Sequence, residues 1–139
     1  MFYFSWISKK FFCPRNGRTN KKLISHEWLT YSKAFELKDY NKISEFFNYP
    51  VLLDGKSHSN KIALMKKYKQ SREKRIQPGY KYSLSNDIKF IKVSNEIVIA
   101  EFYYSRYNSK YEKLFSGASL GTYKKIDSKW KIIEYTSIK

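Results

Sequence analysis

The last third of the chain carries apolar runs with the two-residue alternation of β-strands. Three such runs, residues 96–105, 115–124 and 129–136, are rich in β-branched and aromatic residues and are separated by short polar turns. That pattern is typical of neighbouring strands in an antiparallel meander. Apolar and polar positions also alternate over residues 80–90, which predicts a fourth strand with one buried face.

Upstream, the apolar spacing changes to that of helices. Three aromatic residues share one helical face: Trp28, Tyr31 and Phe35. We expect this first helix to begin at Ser25, whose hydroxyl is a suitable N-cap. Asp39 is predicted to cap a shorter second helix, and Pro50 to end it because proline cannot continue the backbone hydrogen-bond ladder.

A tight turn and a third helix follow. Asp54-Gly55 is a strong turn signal after a short apolar strand. The third helix is predicted to open at Ser59 or Asn60, with a buried stripe of Ile62, Met65 and Tyr68. Lysine and arginine fill the rest of this helix, a run more typical of a solvated face than of a binding surface.

This element order indicates one α+β domain. The 139 residues, 42% of them hydrophobic, are enough to bury a core within a single domain. We predict three N-terminal helices packed on a strongly bent antiparallel sheet, forming a cone with a hollow between the two layers. The domain is assigned to residues 23–139, and residues 1–22 are assigned to a basic aromatic N-terminal arm.

The formal net charge of +16 is compatible with nucleic acid, an anionic membrane or an acidic protein as partner. However, the basic residues are 23 lysines and only 5 arginines. Arginine is the residue that binds phosphates bidentately, so a specific nucleic-acid partner is not expected. An AT-rich coding sequence, which favours Lys, Asn, Ile, Tyr and Phe, explains the charge equally well.

The rest of the composition excludes several kinds of site. Cys13 is the one cysteine, which excludes an intramolecular disulfide and favours a reducing, cytoplasmic location. His26 and His58 lie far apart in the sequence, so no metal site is predicted, and without a glycine-rich phosphate loop no cofactor is predicted either. No apolar run approaches the roughly 20 residues of a membrane span, although the arm could settle on a membrane surface.

The pattern resembles the nuclear transport factor 2-like (NTF2-like) superfamily, which includes SnoaL-like cyclases and ketosteroid isomerases. The resemblance covers about residues 25–138 and is carried by scattered residues: Trp28, Ala34, Lys38-Asp39-Tyr40, Phe46-Phe47, Pro50, Asp54-Gly55 and the segment 121–132. It implies the cone fold and a hollow that binds a small, largely apolar ligand. In such a hollow we expect Trp28, Tyr31 and Trp130 to contact the ligand.

The ketosteroid isomerases in this superfamily imply a catalytic arrangement that can be compared with this chain. Tyr31 falls at the position of the tyrosine that donates to the developing oxyanion, and Asp54 falls near the general base. Gly121 stands where the second oxyanion donor is an aspartate in that family. Losing one such donor typically costs about a hundredfold to a thousandfold in rate. Tyr31 and Asp54 are equally well explained as a core residue and a turn residue.

Strand alternation adds further candidates. Glu134 shares a predicted face with Trp130 and Ile132, which would place a carboxylate inside the hollow as a second candidate base. Glu101 is a candidate ligand contact, with a structural pairing to Arg106 as the alternative, and His58 is a candidate at the cone mouth.

The strand over residues 97–104 is apolar on both faces, which predicts cover on both sides and therefore a homodimer through the outer sheet face. Three functions remain open on the sequence. They are a ligand-binding domain, an isomerase, cyclase or dehydratase using Asp54 or Glu134 as base, and a dimeric interaction module whose basic surface meets an acidic partner.

Overall fold

The computed structural model describes the backbone of residues 2–138 and the side chains of residues 17–138. The helices are α1 (Phe2–Glu36), α2 (Tyr40–Glu45) and α3 (Lys61–Lys74). The strands are β1 (Phe47–Leu53), β2 (Lys56–His58), β3 (Tyr82–Val93), β4 (Ile97–Tyr107), β5 (Lys113–Ile126) and β6 (Lys129–Ser137). The helices pack against a single sheet, which confirms an α+β architecture, with the β1–β2 hairpin inserted before α3.

The six strands follow the order β2-β1-β6-β5-β4-β3. The pairs from β3 to β6 are antiparallel, as predicted for the meander. The expectation of an entirely antiparallel sheet is wrong, because β1 pairs with β6 in parallel. Two parallel neighbouring strands require a long crossover connection. The connection from β1 to β6 contains β2, α3 and the strands β3, β4 and β5.

Helix α1 is the element that covers the sheet. Its buried face carries Ile24, Trp28 and Tyr31, and the Trp28 ring stacks on Phe102 of β4 with 4.3 Å between ring centroids. The face toward α1 is called the inner face of the sheet. Near the start of the described side chains, Asn20 is buried and its Nδ2 donates to the Ser94 carbonyl at 3.0 Å.

The predicted N-cap at Ser25 is wrong, because α1 continues through this residue. The Ser25 Oγ instead donates to the Lys21 carbonyl one turn earlier at 2.8 Å. The helix also runs through the predicted boundary between the arm and the domain at residue 22. All of the arm's aromatic side chains lie outside the described side chains, so its membrane contact stays a prediction.

The elements after α1 follow local sequence signals more closely. The Asp39 Oδ1 accepts from the Lys42 backbone amide at 3.1 Å, which confirms the predicted cap of α2. Asp54 and Gly55 have φ angles of 49° and 79° and form the predicted turn between β1 and β2. Pro50 does not end α2: the helix stops at Glu45, and Pro50 lies within β1.

Helix α3 buries only part of the predicted row: Tyr68 is buried as predicted, Met65 is half-buried, and the prediction for Ile62 is wrong. Leu64, Tyr68 and Arg72 face the core at four-residue spacing, whereas Ile62 is 78% exposed. The four-residue spacing keeps these side chains on one face of α3, where Tyr68 contacts Tyr31 of α1 and Phe47 of β1. Arg72 therefore lies on the packed face of a helix whose charges were expected to be solvated.

Bulges on β6 and β3 change which side chains face inward. On β6, Ile132 pairs with Tyr123 and Glu134 pairs with Thr122, so Ile133 is the additional residue of a bulge. A second irregularity, at Asn86 of β3, reverses the alternation after Leu84, which is 51% exposed. A single bulge residue moves every following side chain to the opposite face of the sheet.

The main core lies between the helices and the inner face. Its fully buried side chains include Ile24, Ile43, Leu64, Phe102, Tyr123 and Ile132. Among residues 2–138, no helix combines the length and the apolar character required to cross a membrane.

Candidate functional site

A cavity of about 170 Å³ lies between α1, α3 and the inner face of the sheet. We call it the inner cavity, and its main lining residues are Tyr31, Phe35, Tyr68, Tyr104, Arg106 and Tyr135. A smaller side cavity of about 40 Å³ adjoins it, shares five of these residues and adds Trp28. Both layers of the fold therefore contribute to one hollow.

A buried pair of tyrosines lies in the wall of the inner cavity. The Tyr31 and Tyr68 hydroxyl oxygens are 2.7 Å apart, and either can donate the hydrogen bond. Burial raises the pKa of Tyr31 and of Tyr68 well above the usual value, since a tyrosinate would be poorly solvated there. Both hydroxyls remain protonated near neutral pH. Tyr135, which also lines the cavity, is a further side-chain hydrogen-bond partner of Tyr31, so three tyrosines are linked in this wall.

The cavity wall carries more positive than negative charge. Lys67, Arg75 and Arg106 line it, and Asp54 is the acid in the same lining. The Asp54 Oδ1 accepts from the Ser137 amide at 2.8 Å, and the Asp54 amide donates to the Tyr135 carbonyl at 3.0 Å. Asp54 is therefore tied to the β6 end of the cavity rather than to one of the cations.

The guanidinium of Arg106 is held by aromatic rings. Its Cζ lies 5.2 to 5.7 Å from four ring centroids, those of Phe35, Tyr80, Tyr104 and Phe115. The Arg106 Nη1 donates to the Gln77 Oε1 at 3.1 Å, and its buried Nε has no hydrogen-bond partner among the described residues. Packing on these rings restricts the side chain to one orientation.

Arg72 supports the same rings from the helix side. Its Cζ lies 5.6 Å from the Phe35 centroid and 4.7 Å from the Tyr80 centroid. The Arg72 Nε donates to the Phe35 carbonyl at 3.2 Å, and Nη2 donates to the Glu36 carbonyl at 3.4 Å. Arg72 thereby donates to two carbonyl groups at the end of α1 and holds α3 against it.

Solved structures with the same architecture were found by comparison. A protein of unknown function with a cystatin-like fold from Nostoc punctiforme matches with a TM-score of 0.71 and 16% identity, over 84% of this chain and 88% of that chain. An NTF2-like protein with a cystatin-like fold from Novosphingobium aromaticivorans matches with a TM-score of 0.68 and 12% identity, over 86% of this chain and 80% of that chain. The chain has the NTF2-like fold.

A further NTF2-like protein of unknown function, from Shewanella oneidensis, gives a TM-score of 0.61 and 17% identity, over 84% of this chain and 97% of that chain. Identities of this size establish a shared fold and assign no activity. No protein-family model matches the chain, and no curated protein matches it.

The NTF2-like fold brings some of the predicted site residues together. Tyr31 and Asp54 both line the inner cavity, although they come from α1 and from the β1–β2 turn. Trp28 lines the side cavity, and its buried Nε1 has no hydrogen-bond partner among the described residues. These three residues surround the hollow that the resemblance implied.

Glu134 does not enter the hollow. The bulge at Ile133 reverses the alternation of β6, so Tyr135 faces inward and Glu134 is exposed. The prediction that Glu134 shares a face with Trp130 and Ile132 is therefore wrong.

Glu101, His58 and Trp130 also lie away from the inner cavity. Glu101 is on the outer face of β4, where it accepts a hydrogen bond from the Tyr103 hydroxyl at 2.7 Å, so the suggested pairing with Arg106 is wrong. The His58 Nδ1 lies 3.1 Å from the Lys56 carbonyl oxygen in the β1–β2 hairpin. Trp130 is buried and borders a separate surface groove between α1, α2 and the β5–β6 turn.

Aromatic rings occupy the space beside Gly121. A Cβ at this position would lie 3.2 Å from Phe102 Cε2 and 3.3 Å from Tyr123 Cε1. The isomerase-type second donor, missing from the sequence at this position, therefore has no room here without movement of those rings. Within residues 17–138, no three His, Cys, Asp or Glu side chains are grouped as metal ligands would be.

Sequence reasoning missed Tyr68, Tyr135, Arg72 and Arg106 as residues of the hollow. Tyr68 was assigned only to a buried stripe, and the two arginines only to surface charge or ion pairing. The scarcity of arginine was one available signal. Of the 5 arginines, Arg72 lies in α3, Arg75 directly after α3 and Arg106 in β4. The inward position of Tyr135 carried no comparable signal because it depends on a bulge.

Proposed function

We propose that this chain is a small-molecule-binding domain whose ligand occupies the inner cavity. The observation that carries the proposal is a hollow of about 170 Å³ inside the fold, lined by both aromatic rings and hydrogen-bonding groups. Typical pockets for drug-sized ligands are about 300–1,000 Å³, whereas an apolar cavity of about 150 Å³ holds benzene. The size therefore favours a molecule with one ring.

The lining supports binding that combines apolar contact with a few oriented polar groups. Phe35, Tyr104 and Tyr135 offer ring surfaces, and the Tyr31–Tyr68 pair places polar hydroxyl groups in the wall. The pair is rigid because both rings are buried and meet nearly edge to face, at an interplanar angle of 89°. A rigid wall lowers the entropy cost of binding.

The test is a ligand survey by native mass spectrometry and thermal shift, using a matched pair of variants on α3. Ser71 lines the inner cavity, whereas its neighbour Gln70 is exposed and does not. Ser71→Phe places a ring in the hollow and should abolish retention of any bound molecule. Gln70→Phe introduces the same side chain outside it and should retain binding. If Ser71→Phe binds the same ligands as the wild type, the site lies elsewhere.

A second candidate function is proton-transfer catalysis, of the isomerase, cyclase or dehydratase kind. It is favoured by the position of Tyr31 and Asp54 in one lining, because a hydroxyl donor and a carboxylate can stabilise an enolate and accept a proton. Its test is hydrogen exchange of bound ligands in deuterated water, followed by NMR. Asp54→Asn should stop the exchange while leaving binding, and Glu134→Gln, at an exposed site, should leave both.

We also propose that the domain forms a homodimer through the outer face of the sheet. Ile97, Ile99 and Tyr103 on that face of β4 are only half-buried within the single chain. Packing of two such faces would remove this apolar surface from water. Sedimentation equilibrium of the full chain at micromolar concentration measures it, and a monomer throughout would contradict it.

A further inference from the structure

The distribution of arginine in this chain singles out the inner cavity. Basic charge is supplied by lysine 23 times and by arginine 5 times. Arg15 and Arg18 lie near the chain start, and the other three arginines are at the cavity: Arg75 and Arg106 line it, and Arg72 supports its rings. Lysine would supply charge equally well on a solvated surface. A planar guanidinium fork is needed where an oxyanion is bound bidentately.

The charges at the cavity are not balanced within the protein. The lining holds three cations, Lys67, Arg75 and Arg106, against one acid, Asp54, a formal excess of two positive charges. Among residues 17–138 the ion pair present is Lys33–Glu36, which lies outside this lining. An anionic ligand would balance charge that the described residues leave uncompensated.

Arg106 is already arranged to bind an anion. Its ring neighbours restrict the guanidinium plane, Gln77 accepts from Nη1, and the buried Nε has no hydrogen-bond partner among the described residues. A buried donor without a partner calls for an explanation, because burying it unpaired costs free energy. Arg106 and Trp28 both line the smaller side cavity, and the Trp28 Nε1 also has no hydrogen-bond partner among the described residues. Of these two donors, the one in the inner-cavity lining belongs to Arg106, and an acceptor group in the ligand would pair with its guanidinium.

The surroundings favour a carboxylate over a phosphate. No helix N-terminus, the usual source of amide donors for phosphate, is part of the lining, and α3 contributes residues of its middle and end, such as Ser71. The C-terminal end of a helix carries a partial negative charge, which disfavours a dianion more than a monoanion. The aromatic walls then accommodate a ring attached to the carboxylate.

We propose that the ligand of the inner cavity is a small carboxylate built on a single ring, with Arg106 binding the carboxylate group and Arg75 and Lys67 supplying the surrounding field. This inference rests on the proposed ligand-binding function. It goes further because it names the charge and the size of the ligand and the residue that recognises it.

The test compares benzoate with benzamide, which has nearly the same shape and no charge, by calorimetric titration of the full chain. We expect benzoate to bind about 10- to 100-fold more tightly, the range of a hydrogen bond to a charged group. Inorganic phosphate should compete poorly. Equal affinity for benzoate and benzamide, or tighter binding of phosphate than of benzoate, would overturn the inference.

Three variants locate the interaction. Arg106→Gln should weaken benzoate binding about 10- to 100-fold and leave benzamide unchanged. Arg75→Gln, at an exposed position at the cavity mouth, should weaken it about two- to fivefold. Arg18→Gln removes the same charge from an exposed site on α1 and should have no effect. If Arg106→Gln does not fold, the wild-type comparison and Arg75→Gln still decide the matter.

The experiments distinguish a failure of the ligand-binding function from a failure of the carboxylate preference. If benzoate and benzamide bind equally and Ser71→Phe removes both, the cavity binds ligands and the preference for a carboxylate is wrong. If neither ring compound binds at millimolar concentration, the carboxylate inference is wrong, and the survey with Ser71→Phe and Gln70→Phe judges the binding function separately.

Discussion

Gly117 on β5 gives a direct test of how tightly the wall of the inner cavity is packed. A Cβ at this position would lie 2.5 Å from Phe115 Cε2 and 2.7 Å from both Cζ and the hydroxyl of Tyr104. Against the 3.4 Å at which ordinary contact begins, the rings would have to move by roughly 0.7–0.9 Å. Gly117→Ala therefore inserts one methyl group between two rings that face Arg106.

The rings have little freedom to move. Their centroids are 6.2 Å apart, and the Arg106 Cζ lies 5.2 Å from each of them. Overpacking of this kind costs about 1–3 kcal/mol. Alanine regains about 0.5–1 kcal/mol over glycine because it loses less backbone entropy in a strand. The central values of these two ranges differ by about 1.3 kcal/mol, so we expect a net loss of about 1 kcal/mol in the free energy of unfolding, within a range of about 0–2.5 kcal/mol.

Urea unfolding followed by tryptophan fluorescence measures this loss from the transition midpoint and slope. Gly17→Ala in α1 is the matched control, because a Cβ there has nothing within 4 Å and alanine favours a helix. It should be neutral or stabilising by up to about 1 kcal/mol. If Gly117→Ala is as stable as the wild type while Gly17→Ala behaves as expected, the rings around Arg106 are not held rigidly.

Three further predictions concern the tyrosines and the outer sheet face. Tyr31→Phe or Tyr68→Phe alone should cost about 1–3 kcal/mol by leaving a buried hydroxyl unpaired, and the double variant should cost less than the sum, measured in a double-mutant cycle. Burial raises the pKa of Tyr31, Tyr68 and Tyr135 above 10.0, so their stabilising effect is fully present below about pH 10 and is lost as the pH rises further. Ultraviolet titration should show these rings ionising only as the protein unfolds, and ionisation in the folded state would argue against their burial. Ile99→Lys should shift a dimer toward monomer in sedimentation equilibrium, whereas Ile62→Lys, on a side chain 78% exposed, should not.

Much of the fold followed from local rules. The face formed by Trp28, Tyr31 and Phe35 depends only on helical spacing, and the Asp39 cap and the Asp54-Gly55 turn depend on hydrogen bonds and φ angles within a few residues. For the same reason the long strands of the meander were predicted. Each of these features is decided within one element.

The errors concern features decided between elements. Ser25 has the chemistry of an N-cap, yet the preceding residues continue the helix. Ile62 is apolar, but α3 turns Leu64 and Tyr68 toward the core, where Tyr68 meets Tyr31 of α1 and Phe47 of β1. Local propensity is a weak signal where packing against another element chooses the face.

The candidate site shows the same division. The order of the elements along the sequence indicated a cone, and the resemblance to the NTF2-like superfamily implied that Tyr31 and Asp54 belong to its hollow. The tertiary structure decided that Tyr135 replaces Glu134 in the wall, because pairing of β6 with β5 introduces a bulge at Ile133. It also decided that Arg106 of β4 meets Phe35 of α1, 71 positions earlier, because only the packing of helix on sheet brings these residues together.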